Sequence, residues 1–444
     1  SSDLLSDFYK STFGDLCNFT NVQTDSRNVC EKSLFVPLVG EFQDGHKYVA
    51  GAIESGASVV LINNSEYEKN PSVYDDLCRN KGVLIICVEN TLHGLQDAAE
   101  KYVSKFPNLT KISVTGSSGK TTTKELIASV LSQKYNIINT QGNFNNHIGV
   151  PLTLLQIKNN TEIAVVEMGA NHPYEIETLC NIAKPNFGLI TNVGKAHLEG
   201  FGSFEGIVKT KKELYDYLKN NNGKAFVNSD NNILIDIAKD IPSYYYGINN
   251  NADIIVNIHS SSPYLYATWN DNIIKTNLIG EYNIENIAAS IAVGKYFNID
   301  NNLIIKAIEE YKPTNNRSQY IKTEKNEIVM DAYNANPISM FNAITNFRNI
   351  SSENALLILG DMKELGKESE TEHQYIIRLI NELKFNNVIL VGKEFGKICK
   401  DCTNTHFNDV DELICHIKNN SIHDKKILIK GSHSIHLEKL INYL

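Results

Sequence analysis

The chain has 444 residues, a formal net charge of −9, and 42% apolar and 21% charged residues. At about 150 residues per domain, this length predicts about three domains. The acidic balance argues against nucleic acid or an anionic membrane as a partner, so an anionic ligand would need a locally basic pocket. The longest apolar runs are well short of the ~18 residues that span a membrane, which argues against a membrane protein.

The sequence predicts a cytoplasmic location. The first residues, SSDLLSDFYK, have neither the basic region nor the apolar region of an export signal, so no such signal is visible there. The eight cysteines are scattered along the chain, which is typical of a reducing compartment. Cys399 and Cys402 have CxxC spacing, but a zinc site would need further ligands and a redox motif would need a strand immediately before it, so we expect ordinary thiols.

Short apolar segments alternate with helical ones along most of the chain, which is typical of parallel sheets covered by helices. The turn signal in YKPTNNRSQ marks the last boundary, and a local antiparallel insert is expected around residues 252–280. The sequence therefore predicts an α/β protein of three domains. They are a smaller α/β domain (1–92), a central P-loop-type domain with a parallel sheet (93–312) and a Rossmann-like C-terminal domain (313–444).

SVTGSSGKTTTKE, residues 113–125, resembles a phosphate-binding loop between a strand and a helix. Gly116 and Gly119 would let the backbone N–H groups point at phosphate oxygens, while Lys120 reaches the terminal phosphates and Thr121 binds magnesium. An ordinary Gly/Ser turn is the alternative, but a lysine at a helix N-terminus opposes the helix dipole unless an anion is bound. Val114 occupies the position of the usual first glycine, so we predict a variant nucleotide-binding loop.

A magnesium nucleotide needs further ligands near the carboxyl ends of the strands. Glu167 ends a wholly apolar strand, where a carboxylate is costly unless a cation or a donor meets it. Its alternative role is a cap of the following helix. His197 lies in a glycine-rich loop after the next strand, and Glu199 is the competing ligand in that loop.

Three lysines follow in GIVKTKKELYDYL, namely Lys209, Lys211 and Lys212. They could form a solvated helix face. Alternatively, they offset the charge of a polyanionic ligand, which an acidic protein would need locally.

Several segments in chain order resemble the Mur ligase family: TDSRNV, LFVPLVGEFQDGHKYVAGAIESGA, TGSSGKTTTKE, GNFNNHIGVPLTLL, VVEMGANHPYEI, TNVGKAHLEGFGSFEGIVKTKKEL, YNANPISM and LGDMKELG. The resemblance spans nearly the whole chain and favours the member of the family that adds a dipeptide. It implies ATP-driven amide formation through an acyl phosphate, with ATP and Mg²⁺ as cofactors. The implied substrates are UDP-N-acetylmuramoyl-tripeptide and D-alanyl-D-alanine, and the implied process is the synthesis of peptidoglycan precursors in the cytoplasm. We expect the protein to be a monomer.

The resemblance also implies roles for individual residues. Lys120, Glu167, His197 and Lys211 match catalytic positions, and the implied magnesium ligands are Thr121, Glu167, His197 and a carbamylated Lys211. ATP would be bound by Gly116, Ser117, Ser118, Gly119, Lys120, Thr121, Thr122, Asn283, Asn286, Arg317, Asp331 and Asn336. Asn334 and Pro337 belong to the same loop as Asn336.

The implied site of the uridine nucleotide substrate comprises Asp25, Ser26, Arg27, Asp44, Gly45, His46, Asn143, Asn145 and Asn146. An arginine suits this site because it can bind a pyrophosphate or a carboxylate through two hydrogen bonds, although a surface turn is its alternative setting.

The chain departs from the family pattern at two positions. Tyr282 replaces a histidine before Asn283, and His433 replaces an arginine in a segment that retains Lys430 and Ser432. The residues that bind D-alanyl-D-alanine are not identified by the resemblance, and Asp361, Glu364 and His373 are polar candidates.

Two other functions remain open at the level of the sequence. One is a related amide ligase, either a Mur enzyme that adds a single amino acid or a folylpolyglutamate synthase, against which GNFNNHIGVP and YNANP argue. The other is a non-catalytic P-loop binding module, against which the intact Lys120, Glu167 and His197 argue.

Overall fold

The computed structural model describes residues 12–13, 19–194, 198–249, 251–313, 317–351, 354–399 and 405–444. The chain divides into two compact units. The first unit comprises Ser1–Ile112, Asn136–Met168 and Glu177–Asn186, and the second comprises Ser113–Tyr135, Gly169–Ile176 and Phe187–Leu444. Strands and helices alternate in several sheets with parallel pairs, so the predicted α/β class is confirmed.

The N-terminal part of the first unit contains β1 (Thr12–Phe13), β2 (Asn21–Gln23), β3 (Ser33–Phe35), α1 (Val49–Glu54), β4 (Ala57–Asn63), α2 (Asn64–Lys69), α3 (Pro71–Lys81), β5 (Leu84–Val88) and α4 (Thr91–Ser104). The sheet order is β1-β5-β4-β3-β2, with β1 antiparallel to β5 and the other pairs parallel. Both faces of β4 are covered, which explains its almost continuous apolar sequence. Leu95 of α4 packs on this sheet beside Leu34, so the helix that crosses the predicted boundary after residue 92 is attached to the first sheet.

The next elements are β6 (Thr110–Thr115), α5 (Lys120–Leu131), β7 (Ile137–Asn139), α6 (Gly149–Leu154), β8 (Ile163–Glu167), α7 (Glu175–Ala183), β9 (Phe187–Ile190), α8 (Leu198–Phe201), α9 (Phe204–Asn220), β10 (Lys224–Asn228), α10 (Asn232–Ala238), β11 (Ser243–Gly247) and β12 (Ile254–Ile255). In the first unit, β7 and β8 pair in parallel. In the second unit, β9, β10, β11 and β12 pair in parallel in that order. Parallel pairing puts the loops after these strands at one edge, where nucleotides bind in such sheets.

The expected antiparallel insert is a three-stranded sheet of β13 (Asn257–Ser260), β14 (Tyr266–Trp269) and β15 (Asn272–Lys275). Two helices follow, α11 (Asn283–Tyr296) and α12 (Asn301–Glu310). Helix α11 is buried along most of its length and packs closely against α5. At Gly294 of α11, a Cβ would lie 2.6 Å from Cγ1 of Val130, so the absence of a side chain permits this approach.

The last segment contains β16 (Gln319–Lys322), β17 (Glu327–Asp331), α13 (Pro337–Ile350), β18 (Ala355–Gly360), α14 (Ser369–Glu382), β19 (Val388–Val391), α15 (Lys393–Ile398), β20 (Thr405–Phe407), α16 (Val410–Asn419) and β21 (Lys426–Lys430). Its sheet has the order β16-β17-β21-β18-β19-β20, and only the β16–β17 pair among these is antiparallel. The carboxyl ends of β17, β21 and β18 are therefore neighbours, which forms the ligand-binding edge expected of a Rossmann-like sheet.

Within the described ranges, every helix is too short or too polar to cross a membrane. The expectation that Cys399 is an ordinary thiol is wrong, because Cys399 is disulfide-bonded. Cys402 lies outside the described residues.

The core of the last sheet predicts a large effect of shortening one side chain. Leu428 of β21 is fully buried between Leu357 and Phe347 in one hydrophobic cluster. We expect Leu428→Ala to lower the free energy of unfolding of the second unit by about 2–5 kcal/mol, because it removes buried methyl groups and leaves a cavity. Leu303→Ala makes the same chemical change at an exposed position of α12 and is expected to cost about 0.5 kcal/mol or less. Equal losses in urea unfolding of the two variants would contradict the assignment of this core.

Candidate active site

The loop between β6 and α5 is held by the segment that follows β9. The Ser117 hydroxyl donates to the carbonyl oxygen of Gly194 and accepts from the Gly194 N–H, both at 2.9 Å. The Ser118 N–H donates to Oδ1 of Asn192 at 3.0 Å, and the Thr191 hydroxyl donates to the Ser118 carbonyl at 2.6 Å. Side chains from a neighbouring strand end thus fix the loop, and Thr191 and Asn192 were not predicted from the sequence.

Two glycines are required by the backbone of this loop. Gly116 has φ +145° and Gly119 has φ +78°, conformations that residues with side chains rarely adopt. A Cβ at Gly116 would overlap the Thr191 hydroxyl, and one at Gly119 would lie 2.9 Å from Oδ1 of Asn286. Val114, in contrast, is fully buried in β6. The strand therefore continues through the position where the usual loop has its first glycine, and the curled part begins at Gly116.

Lys120 and Thr121 begin α5 directly after Gly119. The Lys120 ammonium group donates to the Gly116 carbonyl at 2.7 Å, so it folds back over the loop. Thr121 is buried. A lysine and several backbone N–H groups at one helix N-terminus match the chemistry of a phosphate site.

Asn283 and Asn286 connect α11 to the start of α5. The Thr123 hydroxyl donates to Oδ1 of Asn286 at 2.8 Å, and Nδ2 of Asn286 donates to Oδ1 of Asn283 at 2.8 Å. Nδ2 of Asn283 donates to the carbonyl oxygen of Ile279 at 2.8 Å. Both asparagines are buried, and these bonds give them a part in fixing the helix that carries the loop.

The three predicted lysines, Lys209, Lys211 and Lys212, lie in different environments on α9. Lys209 is exposed, and Lys212 forms an ion pair with Asp216 at its own helix surface. Lys211 is only 2% exposed, and its ammonium nitrogen lies 5.5 Å from the centre of the Phe201 ring. The sequence carries a signal for this difference, because Lys211 occupies the same helix face as the buried Ile207 and Leu214.

Burial lowers the pKa of Lys211 to about 7, and the positive charge of Lys120 acts in the same direction. Glu213 and Glu175 act in the opposite direction without restoring the usual value. A large fraction of Lys211 is therefore a neutral amine near pH 7, and this form can act as a nucleophile.

Glu167 is a nearly completely buried carboxylate in the first unit, at the end of β8. Its Oε1 accepts from Nδ2 of Asn145 at 2.8 Å. Its Oε2 is buried and has no hydrogen-bond partner among the described residues. A buried carboxylate oxygen in this state is costly unless a ligand meets it, which favours a cation at this position over a cap of the following helix.

His197 lies outside the described residues. Glu199, the competing ligand from the same loop, is exposed and lies in the first turn of the short helix α8. Its side chain is close to Gly366, at which a Cβ would lie 3.0 Å from Cβ of Glu199.

The carboxyl end of β17 carries a buried ion pair. Nζ of Lys430, from the neighbouring β21, donates to Oδ2 of Asp331 at 2.6 Å and to the Asn334 carbonyl at 3.1 Å. Arg317 stacks on Tyr333, with its guanidinium carbon 3.8 Å from the ring centre. Tyr333, which was not singled out from the sequence, also contacts the His433 ring at 5.6 Å between centres.

Several residues expected to contact ligand have structural hydrogen bonds. Asn336 caps α13 and forms a capping box with Ser339, and Pro337 occupies the first turn of this helix. Asp361 accepts from the backbone N–H groups of Glu394 and Phe395 at 3.0 Å each. Because both Asp361 oxygens bind the start of α15, this candidate for the dipeptide has a role in fixing α15.

His373 is fully buried, so it is also a weak candidate for contact with the dipeptide. Its Nε2 accepts from the Met362 N–H at 3.0 Å, and its Nδ1 lies 2.7 Å from the Ser369 carbonyl. Glu364 has φ +64° and lies in the loop between β18 and α14.

The expected uridine-nucleotide residues lie in the first unit. Asp25 caps the short helix Ser26–Asn28, and Arg27 bridges back to Asp25 at 2.6 Å. The Arg27 hydrogen bond lowers the pKa of Asp25 to about 2. The Arg27 side chain is 87% exposed, so it is accessible to a ligand.

Asp44, Gly45 and His46 form a second short turn in this unit. Oδ1 of Asp44 accepts from the His46 N–H at 2.9 Å and lies 2.7 Å from its Nδ1, while Nε2 accepts from the Asn63 N–H at 3.0 Å. Both ring nitrogens of the buried His46 are therefore used within the protein. A Cβ at Gly45 would lie 2.8 Å from the Leu38 backbone, so only glycine fits.

The asparagine loop lies before α6 in the same unit. Asn143 and Asn146 are exposed, and Oδ1 of Asn146 accepts from the backbone N–H groups of Ile148 and Gly149 at 3.1 and 2.9 Å. Asn145 contacts Glu167 as described above. This arrangement links the loop expected to touch the substrate with the buried carboxylate.

The predicted residues that the structure describes divide between the two units. In the second unit these are the loop at 116–122, Lys211, the asparagines of α11 and the Arg317–Asp331 group. In the first unit they are Glu167, the asparagine loop and the two N-terminal turns.

Three family models match the chain in order. The Mur ligase family catalytic domain matches residues 18–102, the Mur ligase middle domain matches residues 114–294, and the Mur ligase glutamate ligase domain matches residues 316–433. This succession corresponds to the three-domain architecture predicted from the sequence.

Individual relatives match over nearly the full length. UDP-N-acetylmuramoyl-tripeptide--D-alanyl-D-alanine ligase from Bacillus subtilis (strain 168) is 34% identical over 435 residues, which cover 95% of this chain and 92% of the relative. A crystal structure of MurF from Acinetobacter baumannii has a TM-score of 0.86 and 27% identity, covering 100% of this chain and 98% of that one. The MurF structure from Thermotoga maritima in complex with ADP has a TM-score of 0.78 and 26% identity, covering 95% and 96%.

The geometry of the loop predicts the effect of adding one methyl group to it. Gly119→Ala is expected to reduce the affinity for an ATP analogue more than tenfold, because the new Cβ would meet Asn286 and because the loop would hold the alanine at a positive φ. Gly82→Ala is the matched control, since Gly82 has φ +64° but open space around its Cβ position. Calorimetric titration that gives both variants the same affinity would contradict this account of the loop.

Proposed function

The chain belongs to the Mur ligase family, and we propose that it joins D-alanyl-D-alanine to UDP-N-acetylmuramoyl-tripeptide at the expense of ATP. The observation that carries this proposal is the full-length similarity to ligases of that name, with the phosphate-binding loop intact. The reaction would supply a precursor for peptidoglycan.

The chemistry matches the residues of the loop. The terminal carboxylate of the tripeptide attacks the γ-phosphorus of ATP, which gives an acyl phosphate and releases ADP. The amino group of D-alanyl-D-alanine then attacks the acyl carbon, loses a proton and displaces phosphate, which forms the amide. Both reactants of the first step are anions, so Lys120 and the backbone N–H groups of the loop would stabilise the developing charge.

We also propose that Mg²⁺ takes part, with Thr121, Glu167, His197 and carbamylated Lys211 as the residues that would hold it. When bound, the ion would offset charge on the phosphates and the attacking carboxylate. The support from this chain is the buried Oε2 of Glu167, which has no hydrogen-bond partner in the part of the chain that the structure describes and is an oxygen ligand of the type that Mg²⁺ prefers.

Carbamylation of Lys211 is supported by its burial in the second unit away from solvent. A carbamate forms when the neutral amine attacks CO₂ and loses a proton, and this turns a buried cation into an anion with two oxygen ligands. Among the four lysines of α9, Lys211 alone is fully buried, whereas Lys209 and Lys219 are exposed and Lys212 has Asp216 as a partner.

Carbamylation of Lys211 can be measured directly. In protein equilibrated with ¹³C-bicarbonate, we expect one carbamate carbonyl signal in the NMR spectrum. The signal should disappear in Lys211→Arg, because a guanidinium group does not react with CO₂, and persist in Lys212→Arg. A signal that survives in Lys211→Arg, or its absence from the unaltered protein, would contradict the assignment.

The substrate is tested by reaction with defined partners. With ATP and UDP-N-acetylmuramoyl-tripeptide, we expect a product with the mass of UDP-N-acetylmuramoyl-pentapeptide only when D-alanyl-D-alanine is added. Lys120→Met should lower kcat by at least 100-fold, because it removes a charge that stabilises the transition state, whereas the exposed Lys209→Met serves as the control.

Two outcomes would favour other functions. Consumption of a free amino acid in place of the dipeptide would indicate a single-amino-acid ligase. Phosphate release that is the same with and without both acceptor substrates would indicate a nucleotide-binding module. We further propose a monomer that acts in the cytoplasm, and light scattering of the purified protein would test the oligomeric state.

A further inference from the structure

Tyr282 lies at the start of α11, immediately before Asn283. Its hydroxyl oxygen is 2.8 Å from Oγ of Ser318, which precedes β16. Its ring covers Gly280, at which a Cβ would lie 2.7 Å from Cζ of the tyrosine. The ring position is thus fixed by packing. Burial, together with the negative charge of Asp331, raises the pKa of the Tyr282 hydroxyl well above its usual value, so the group stays neutral.

Ser318 has an unusual backbone conformation, with φ +48°. Residues other than glycine adopt this conformation at a cost, and it persists where surrounding contacts impose it. Two contacts act here from different elements. The Ser318 N–H donates to Oδ1 of Asp331 at 3.2 Å, and its side chain meets Tyr282.

Arg317 directly precedes this strained residue. Its guanidinium group lies over the Tyr333 ring, and its Nε is buried without a hydrogen-bond partner among the described residues. The φ of Ser318 determines the angle between the chain that carries Arg317 and strand β16. A change at Ser318 would therefore redirect Arg317.

Asp331 connects the same residues to the sheet. One of its oxygens accepts from Ser318 and the other accepts from the buried Lys430. The hydroxyl of Tyr282 adds a contact from the residue that precedes α11, the helix whose asparagines meet the start of α5. It therefore links the start of α11 to the residue that precedes β16.

We propose that Tyr282 is a positioning residue, whose hydroxyl holds Ser318 in its left-handed conformation and thereby orients Arg317 toward the phosphates of ATP. The inference rests on the proposed ligase function, in which Arg317 contacts the nucleotide. Tyr282 departs from the family pattern, and the proposed role depends on its hydroxyl group.

The test removes single hydroxyl groups and measures the affinity for a non-hydrolysable ATP analogue, together with the KM for ATP. We expect Tyr282→Phe and Ser318→Ala each to weaken nucleotide binding about fivefold, the effect of one hydrogen bond, and the double variant to be no weaker than either. Because Tyr282 acts through Arg317, Tyr282→Phe should cause no further loss in an Arg317→Met background. The KM for the UDP-linked substrate should stay unchanged.

The matched control is Tyr135→Phe. The Tyr135 hydroxyl donates to the Phe297 carbonyl at 2.9 Å, just beyond the opposite end of α11. This variant loses one hydrogen bond of the same helix and should lower the melting temperature without weakening nucleotide binding.

Three outcomes separate this inference from its premises. If Tyr282→Phe behaves as Tyr135→Phe does, with lower stability and unchanged nucleotide affinity, Tyr282 is a structural tie only and the inference is wrong. If Tyr282→Phe still weakens binding in Arg317→Met, the effect does not pass through Arg317, and the inference is also wrong. If the unaltered protein binds the analogue but forms no dipeptide adduct, the proposed substrates fail while the binding measurements still decide the role of Tyr282.

Discussion

The hydrogen bonds between the phosphate-binding loop and the segment after β9 are the contacts on which the second unit's site depends. The Ser117 hydroxyl both donates to and accepts from Gly194. A Cβ at Gly194 would overlap Cδ1 of Ile338, so the start of α13 packs directly on the segment after β9. The backbone at Gly194 therefore both fixes the loop and contacts the start of α13. This explains why Ser117 and Gly194, on the two sides of the contact, are small residues.

The charged groups of the site fall into two physical classes. Lys430 and Asp331 are paired within the protein, which compensates the cost of burying each. Glu167 keeps one oxygen without a described partner, and Lys211 has an aromatic ring as its close contact. Charges of the first class fix the fold, whereas those of the second class fit the ligand and the chemical change that we propose for them.

Much of the fold was predictable because the parallel strands are covered on both faces and read as short apolar runs, as in β4, β5 and β18. Strand β16 was not predicted, since it has four residues, lies at the sheet edge and has only two apolar side chains, Tyr320 and Ile321, between Gln319 and Lys322. The expected ligand contacts of Asn336, Asp361 and His46 illustrate a different limit. A helix cap and a ligand contact require the same hydrogen-bonding groups, so the residue type does not distinguish them.

The sequence by itself determined the phosphate-binding loop, the apolar strands around it and the order of the family's segments, because these depend on residues close together in the chain. For the lysines of α9, the residues alone left a solvated face and a ligand-facing cluster as alternatives, and the structure decided that Lys211 is buried. Only the tertiary structure decided that Tyr282 meets Ser318 and that Asn145 meets Glu167. These contacts join separate elements, and their partners are selected by the packing of whole helices and sheets, which no local pattern records.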